Sequence, residues 1–421
     1  MNTKIASRAW VAIGVAALGY FVDIYDLILF SIVRLPSLRG IGVPENEVLS
    51  VGVRLLNNQM MGMLIGGIVW GVLGDKRGRL SVLFGSILMY SLANLANGFV
   101  QDVETYAWLR LIAGIGLAGE LGAGVTLVAE MLPPQTRGIG TTIIAGVGIL
   151  GAVLAVIVSW VLSWRHAYWL GGIMGLMLLV LRVGVLESGL FQKIRELPVS
   201  KGNFFALFSE RRRAIRYLAV ILIGVPIWFT IGILITLVEE IAGQGLGMHP
   251  PPRAPTAVLL VYIGLAIGDF SSGWLSQLWQ SRKRVLFAFL VLDALAIALY
   301  YSVATTSLFV FYGIILLLGI ANGYWAVFVT VAAEQFGTNL RATAATTAPN
   351  FVRGAVVPMN LALLALRPQL GLVGASAAVG ASVWLLAFAA VFAMEETFNK
   401  PLDFLEEEHH SAAPTRKKIE A

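Results

Sequence analysis

The length of its apolar runs constrains this chain more than any other feature. A helix needs about 20 apolar residues to cross the hydrocarbon core of a bilayer. Runs of that order lie at 9–33, 51–74, 80–99, 104–131, 138–162 and 166–187. They recur at 214–240, 255–280, 285–304, 307–335, 341–366 and 371–394. Backbone polar groups in lipid must be satisfied within their own segment, so each run is expected to be a helix. The expected fold is therefore all-α and integral to the membrane: twelve transmembrane helices in two pseudo-symmetric six-helix bundles. Only 13% of the 421 residues are charged, against about 25% in soluble domains. The first run is too long for the core of a secretory signal, and it lacks a clear small-residue cleavage site.

The polar breaks divide the chain into an N-terminal bundle (1–187), a linker (188–213), a C-terminal bundle (214–394) and a polar tail (395–421). Basic residues gather on one side of the expected spans. They include Lys76, Arg77, Arg79 and Arg137, the linker cluster Arg211, Arg212 and Arg213, and then Arg282, Lys283, Arg284 and Arg341. The opposite side holds only Arg34, Arg39, Arg54, Arg165, Arg253 and Arg367. By the positive-inside rule both termini and the linker are expected to be cytoplasmic.

Several functions are disfavoured. The chain has no cysteine, which removes disulfides, thiol nucleophiles and thiolate metal sites. Its four histidines include two in the polar tail, so a metal centre or a histidine triad is not expected. No segment resembles a nucleotide-binding loop, which disfavours ATP-driven transport. No cofactor and no nucleic-acid partner are expected, and the chain is expected to act as a monomer.

The two halves repeat one another. "AEMLPPQTRG" at 129–138 and "AEQFGTNLRA" at 333–342 each carry an arginine seven residues after a glutamate. These pairs are Glu130 with Arg137 and Glu334 with Arg341. Duplicated halves are a common transporter design, with the substrate site between them.

Charges inside the runs point the same way. Asp23 and Asp26 sit in "GYFVDIYDLILF", Glu120 in "GIGLAGELGAG" and Arg353 in "PNFVRGAVVP". A charge at the bilayer centre costs about 2.5–3.5 kcal/mol on insertion scales, so such residues default to functional sites. Asp23 and Asp26 lie three residues apart and share a helix face. Two carboxylates that close do not both ionise readily, which suits a proton carrier. A planar guanidinium suits a carboxylate ligand better than lysine does, which fits Arg353 to an anion. Asn350 lies one turn from Arg353. Trp228, Tyr324, Trp325 and Phe328 are the aromatic candidates for a pocket wall. "GVPIWFTIG", with Pro226 among glycines, fits a helix that bends. Glu239 and Glu240 are expected to be solvated at the outer end of span seven, and Asp269 to make a structural contact. Asp293 has no explanation at this level.

These residues carry a family resemblance. "GGIVWGVLGDKRGR" resembles the loop 2–3 signature of the major facilitator superfamily, and "RLIAGIG" resembles its span-four arginine motif. The resemblance implies that Asp75, Arg77 and Arg79 form cytoplasmic gating contacts, with Arg110 and the repeated Glu130, Arg137, Glu334 and Arg341 grouped with them. It also implies that spans one, four, seven and ten line a central chamber. The D-x-x-D of span one with "GIGLAGE" of span four is similar to proton-coupled organic-anion, aromatic-acid and phosphate symporters. That implies proton coupling through Asp23, Asp26 and Glu120, anion binding at Arg353, and residence in a bacterial inner membrane. The proton gradient would be the only energy source. The alternatives are an exporter or antiporter, an organic-cation carrier with the acids as ligands, and a non-transporting membrane receptor.

Overall fold

The computed structural model describes residues 3–77, 79–120, 134–187, 204–303, 307–398 and 400. The expected linker lies outside these residues except for 204–213, and the tail except for its first residues.

The N-terminal half contains α1 (Thr3–Gly40), α2 (Val48–Arg77), α3 (Arg79–Asn97), α4 (Val103–Leu117), α5 (Pro134–Val161) and α6 (Trp164–Glu187). The C-terminal half contains α7 (Arg211–Phe229), α8 (Ala254–Leu278), α9 (Arg282–Val303), α10 (Leu308–Asn322), α11 (Trp325–Glu334), α12 (Thr338–Gly354) and α13 (Val356–Ala393). Span ten is built from α10 and α11. Span eleven is built from α12 and the first part of α13. Gly371, at φ 67°, turns the chain within α13, so spans eleven and twelve join without an extended loop. The alternating helices place both ends of the linker on one face of the molecule, here the linker face. The opposite face is the far face.

Packing repeats between the halves. In the first, α1 lies against α5, α2 against α4, and α3 against α6. In the second, α7 lies against α13, α8 against α10, and α9 against α10 and α13. The halves meet where α2 packs on α12 and α5 on α8. Helix starts repeat as well. Asp102 caps α4 by accepting from the Thr105 N–H at 2.8 Å. Ser307 caps α10 by accepting from the Val310 N–H at 3.2 Å.

Glycine sets the closest approaches. A Cβ at Gly62 or Gly66 would strike the α4 backbone at Leu111 and Ile115. One at Gly264 or Gly268 would strike the α10 backbone at Leu316 and Ile320. Each pair is a small-xxx-small stripe that lets two backbones touch, the packing mode lipid favours.

The far-face ends of the halves are joined. Arg34 of α1 forms a buried ion pair with Glu240 at 2.6 Å and donates to the Thr236 carbonyl at 3.2 Å. Thr236 donates to Ser31 at 2.9 Å, and Asn360 donates to Asn57 at 2.8 Å. Glu240 is therefore not solvated, contrary to expectation: it is 4% exposed because Arg34 draws it inward. Glu239 accepts from the Ala254 N–H and so satisfies the first turn of α8.

Gly268→Leu is expected to destabilise the protein strongly, because its neighbour is backbone and cannot yield. Overpacking of this kind costs about 1–3 kcal/mol or more. Gly273→Leu, on the same helix but with open space around its Cα, is expected to change little. Thermal unfolding in detergent compares them, and equal stabilities would contradict the packing argument.

Candidate functional site

Four spans lose regular helical geometry part-way along their length. Span four leaves its helix at Leu117 and turns through Ala118 and Gly119 to Glu120. Span seven passes into a π-helical turn at Thr230–Ile235, just after Pro226. Span ten breaks at Gly323 and Tyr324. Span eleven breaks at Ala355, directly after Arg353. Broken helices expose backbone dipoles where charged groups need them. Asp269 shows this: its carboxylate accepts from the Ala326 N–H at 3.0 Å and so caps α11. The expected structural contact of Asp269 is this cap.

Arg353 sits in the last turn of α12, where the negative end of the helix dipole favours a cation. It is 1% exposed. Its guanidinium lies 5.7 Å from the Trp228 ring centroid and 5.8 Å from that of Trp325, within cation–π range. Nε and Nη1 are buried without a hydrogen-bond partner. Asp23 faces it from α1, within its electrostatic field, and both Asp23 oxygens are likewise buried and unpartnered. Among the described residues no carboxylate forms an ion pair with Arg353. Tyr20 of α1 and Tyr262 of α8 share the fields of Arg353 and Asp23.

Glu120 also acts on Asp23, but its direct partner is Arg182 of α6, which donates to both its oxygens. The pair is buried on both sides. Gly19 makes room for it, since a Cβ there would strike both side chains. Arg182 escaped the sequence reading, although a lone arginine in "LLVLRVGVL" carries the signal that picked out Arg353. Tyr20 and Tyr262 carried none, because an aromatic in an apolar run reads the same whether it faces lipid or a ligand.

Asp26 points into the N-terminal bundle, over Gly171 of α6. Arg110 lies in the far-face half of span four, so it does not stand with the linker-face motif. It is fully buried, donates to the Gln59 side-chain oxygen, and stacks over Phe30 and Tyr168 at 5.0 and 5.7 Å. Two further expected residues turn away from Arg353. Asn350 donates to the Ala118 carbonyl at 3.0 Å, a strut between the halves. Tyr324, at the break of span ten, donates to the Ile223 carbonyl at 2.9 Å. Phe328 packs on Trp325 at 5.1 Å and over Gly224. Asp293 accepts from Asn322 at 2.8 Å, which also donates to Thr230. That network ties spans seven, nine and ten.

On the linker face Glu334 pairs with Arg282 at 3.3 Å and accepts from Thr397 at 2.7 Å. Arg341 donates to the Ala333 carbonyl at 3.3 Å. Glu130 and the side chains of Asp75, Arg77, Arg79 and Arg137 lie outside the described set.

Residues 16–358 match the Major Facilitator Superfamily. The chain belongs to that family. It is accordingly a membrane transporter rather than an enzyme. It is 26% identical to the gentisate transporter of Corynebacterium glutamicum, over 94% of this chain and 90% of the relative. It is 27% identical to the niacin transporter of Acinetobacter baylyi, over 81% and 83%. It is 28% identical to the 3-(3-hydroxy-phenyl)propionate transporter of Escherichia coli, over 79% and 82%. Among solved structures it shares the fold of the proton:xylose symporter XylE bound to 6-bromo-6-deoxy-D-glucose, with TM-score 0.69 and 16% identity over 94% of this chain and 98% of that one.

Removing Glu120 strands Arg182 in a buried position. Glu120→Leu is expected to cost about 3–5 kcal/mol, the usual penalty for breaking a buried pair. Adding Arg182→Met should recover most of that loss. Thermal unfolding of the two variants checks it: no recovery in the double variant would mean that the pair is not the source of the cost.

Proposed function

We propose that this protein carries a small aromatic carboxylate across the membrane by alternating access, in symport with protons. The observation that carries the reading is Arg353: a buried guanidinium without a carboxylate partner among the described residues, between two tryptophans and opposite the unpartnered carboxyl of Asp23. A carboxylate substrate supplies the missing anion, and the indole faces of Trp228 and Trp325 supply surface for its ring. Each hydrogen bond to a charged group is worth about 1.5–3 kcal/mol. The names of the relatives, which transport gentisate, niacin and a hydroxyphenyl-propionate, support a carboxylate of this size.

Coupling follows from the shared field. A bound carboxylate takes over the guanidinium that otherwise answers Asp23, so loading of the site is coupled to a proton at Asp23. The neutral, loaded site then crosses between states at lower cost than a charged one. Glu120 and Asp26 set the local charge around Asp23. The closed far face is the outward one in this reading, with the linker and termini in the cytoplasm of a bacterial cell, and Asp75, Arg77 and Arg79 act as the inner latch. One chain suffices, and the proton gradient is the sole energy source.

The test is calorimetry with gentisate and nicotinate at several pH values. Wild type is expected to bind one or both, with proton uptake on binding. Arg353→Ala should lose at least about tenfold in affinity, on the value of a charged hydrogen bond. Arg353→Lys should also weaken binding because the planar fork is lost. Asp23→Asn should bind and exchange the acid yet not accumulate it in vesicles. Unchanged affinity in Arg353→Ala would move the organic-cation reading to the front.

A further inference from the structure

The interior of the N-terminal bundle is more polar than a packed helical core requires. Along α3, Ser86, Tyr90, Asn94 and Asn97 recur at helical spacing and are all fully buried. Native interiors leave only a few polar groups without partners. Here the Tyr90 hydroxyl and both amide atoms of Asn94 and of Asn97 are unpartnered, and so is the Ser91 hydroxyl beside them. Both oxygens of Asp26 on α1 and two nitrogens of Arg110 on α4 are buried and unpartnered as well. Asp26 and Asn94 lie within hydrogen-bonding reach of one another, but no hydrogen bond of normal geometry joins them.

These groups form a column. Asn97 ends α3 at the far face, beside Gly98 and Trp169. Asn94 meets Asp26. Tyr90 lies in the combined field of Glu120, Asp26, Asp23 and Arg182. Ser86 touches Gly119, next to Glu120. From Asn97 to Ser86 the column rises about 16 Å. Successive members stand about 4.5–6 Å apart along the axis, roughly two hydrogen bonds in series. A water bridging such a gap would find the two to four polar partners that a buried water needs. On α6, Gly171 and Gly175 let Asp26 and Ser91 lie directly against the helix backbone: a Cβ would strike Asp26 at the first and Ser91 at the second. The C-terminal bundle has no such column among the described residues. Its equally buried Tyr300 and Tyr324 donate to the Leu234 and Ile223 carbonyls.

We infer that this column is a water file that gives Asp26 and Asp23 access to the far-face solution, separate from the substrate's route past Arg353. A proton enters at Asn97 from the far-face solution and is passed between waters. An O–H bond forms on the carboxylate as one breaks on the last water. The charged and titratable groups facing the file are Asp23, Tyr25 and Asp26 on α1, Tyr90 on α3, Arg110 and Glu120 on span four, and Tyr168 and Arg182 on α6. The proton role rests on the coupling proposed above, whereas the presence of water does not.

Hydroxyl-radical footprinting of the whole protein in nanodiscs tests the water directly, because the radicals form from bound water. Tyr90 is expected to be oxygenated at least about tenfold faster than the equally buried Tyr324, since only Tyr90 would touch ordered water. Equal, slow labelling overturns the file. Asn94→Leu should lower Tyr90 labelling toward that of Tyr324, and Asn94→Ser, which leaves room for water, should restore it. In vesicles, Asn94→Leu should cut proton-driven accumulation of gentisate or nicotinate while exchange at equal pH on both sides persists. A proportional loss of both activities overturns the proton role. Wild type that accumulates neither acid defeats the proposed function instead, and the labelling ratio still decides the file.

Discussion

A full charge at membrane depth persists only where something answers it, and the centre of this protein is organised around that demand. Glu120 is answered by Arg182, in a pair that two charges alone would not repay without bidentate geometry. Arg353 is answered by a helix end and two indole faces and, among the described residues, by no carboxylate. The helix breaks in spans four, seven, ten and eleven follow from the same demand, because regular helices keep their backbone dipoles to themselves. Glycines then appear where a charged side chain must pass a neighbouring backbone: Gly19 by the Glu120 pair, Gly171 by Asp26.

The halves answer their polar groups differently. In the C-terminal half Asn322 gathers Asp293, Thr230 and the Leu318 carbonyl into one network. Asp269 is spent on a helix cap. That half is built to hold its shape around Arg353. The N-terminal half leaves Asp23, Asp26 and the α3 amides without such closure. A repeated fold has thus been used once as a frame for a buried cation and once as a polar interior, although the glycine stripes of α2 and α8 hold both halves together in the same way.

Much of this architecture is legible in the amino-acid sequence. The spans follow from the cost of exposing backbone to lipid. Asp23, Glu120 and Arg353 stand out because a charge in an apolar run is improbable without a role. Arg182 obeys the same rule and is found by applying it to every span, peripheral ones included. Direction is not legible in the same way. Asn350 and Tyr324 sit beside the right residues in sequence, but the close approach of span four draws Asn350 onto the Ala118 carbonyl, and the break at Gly323 leaves Tyr324 on the Ile223 carbonyl. Arg110 stands out as a charge too, yet its place in the far-face half of span four depends on which way that span runs. Partners across the repeat, such as Arg34 with Glu240, depend on how two bundles lean together, and no local pattern encodes that.

The Arg34–Glu240 pair has one more consequence. It is dry when the far face is closed and must be wet when that face opens. Hydration of ions weakens as temperature rises, so the cost of drying the pair falls on warming. The balance between closed and open states therefore carries a built-in temperature dependence. In the cold, water competes best for these two charges and the far face opens most easily. In warmth the pair holds more firmly, so faster motion in the rest of the protein is met by a tighter far-face seal.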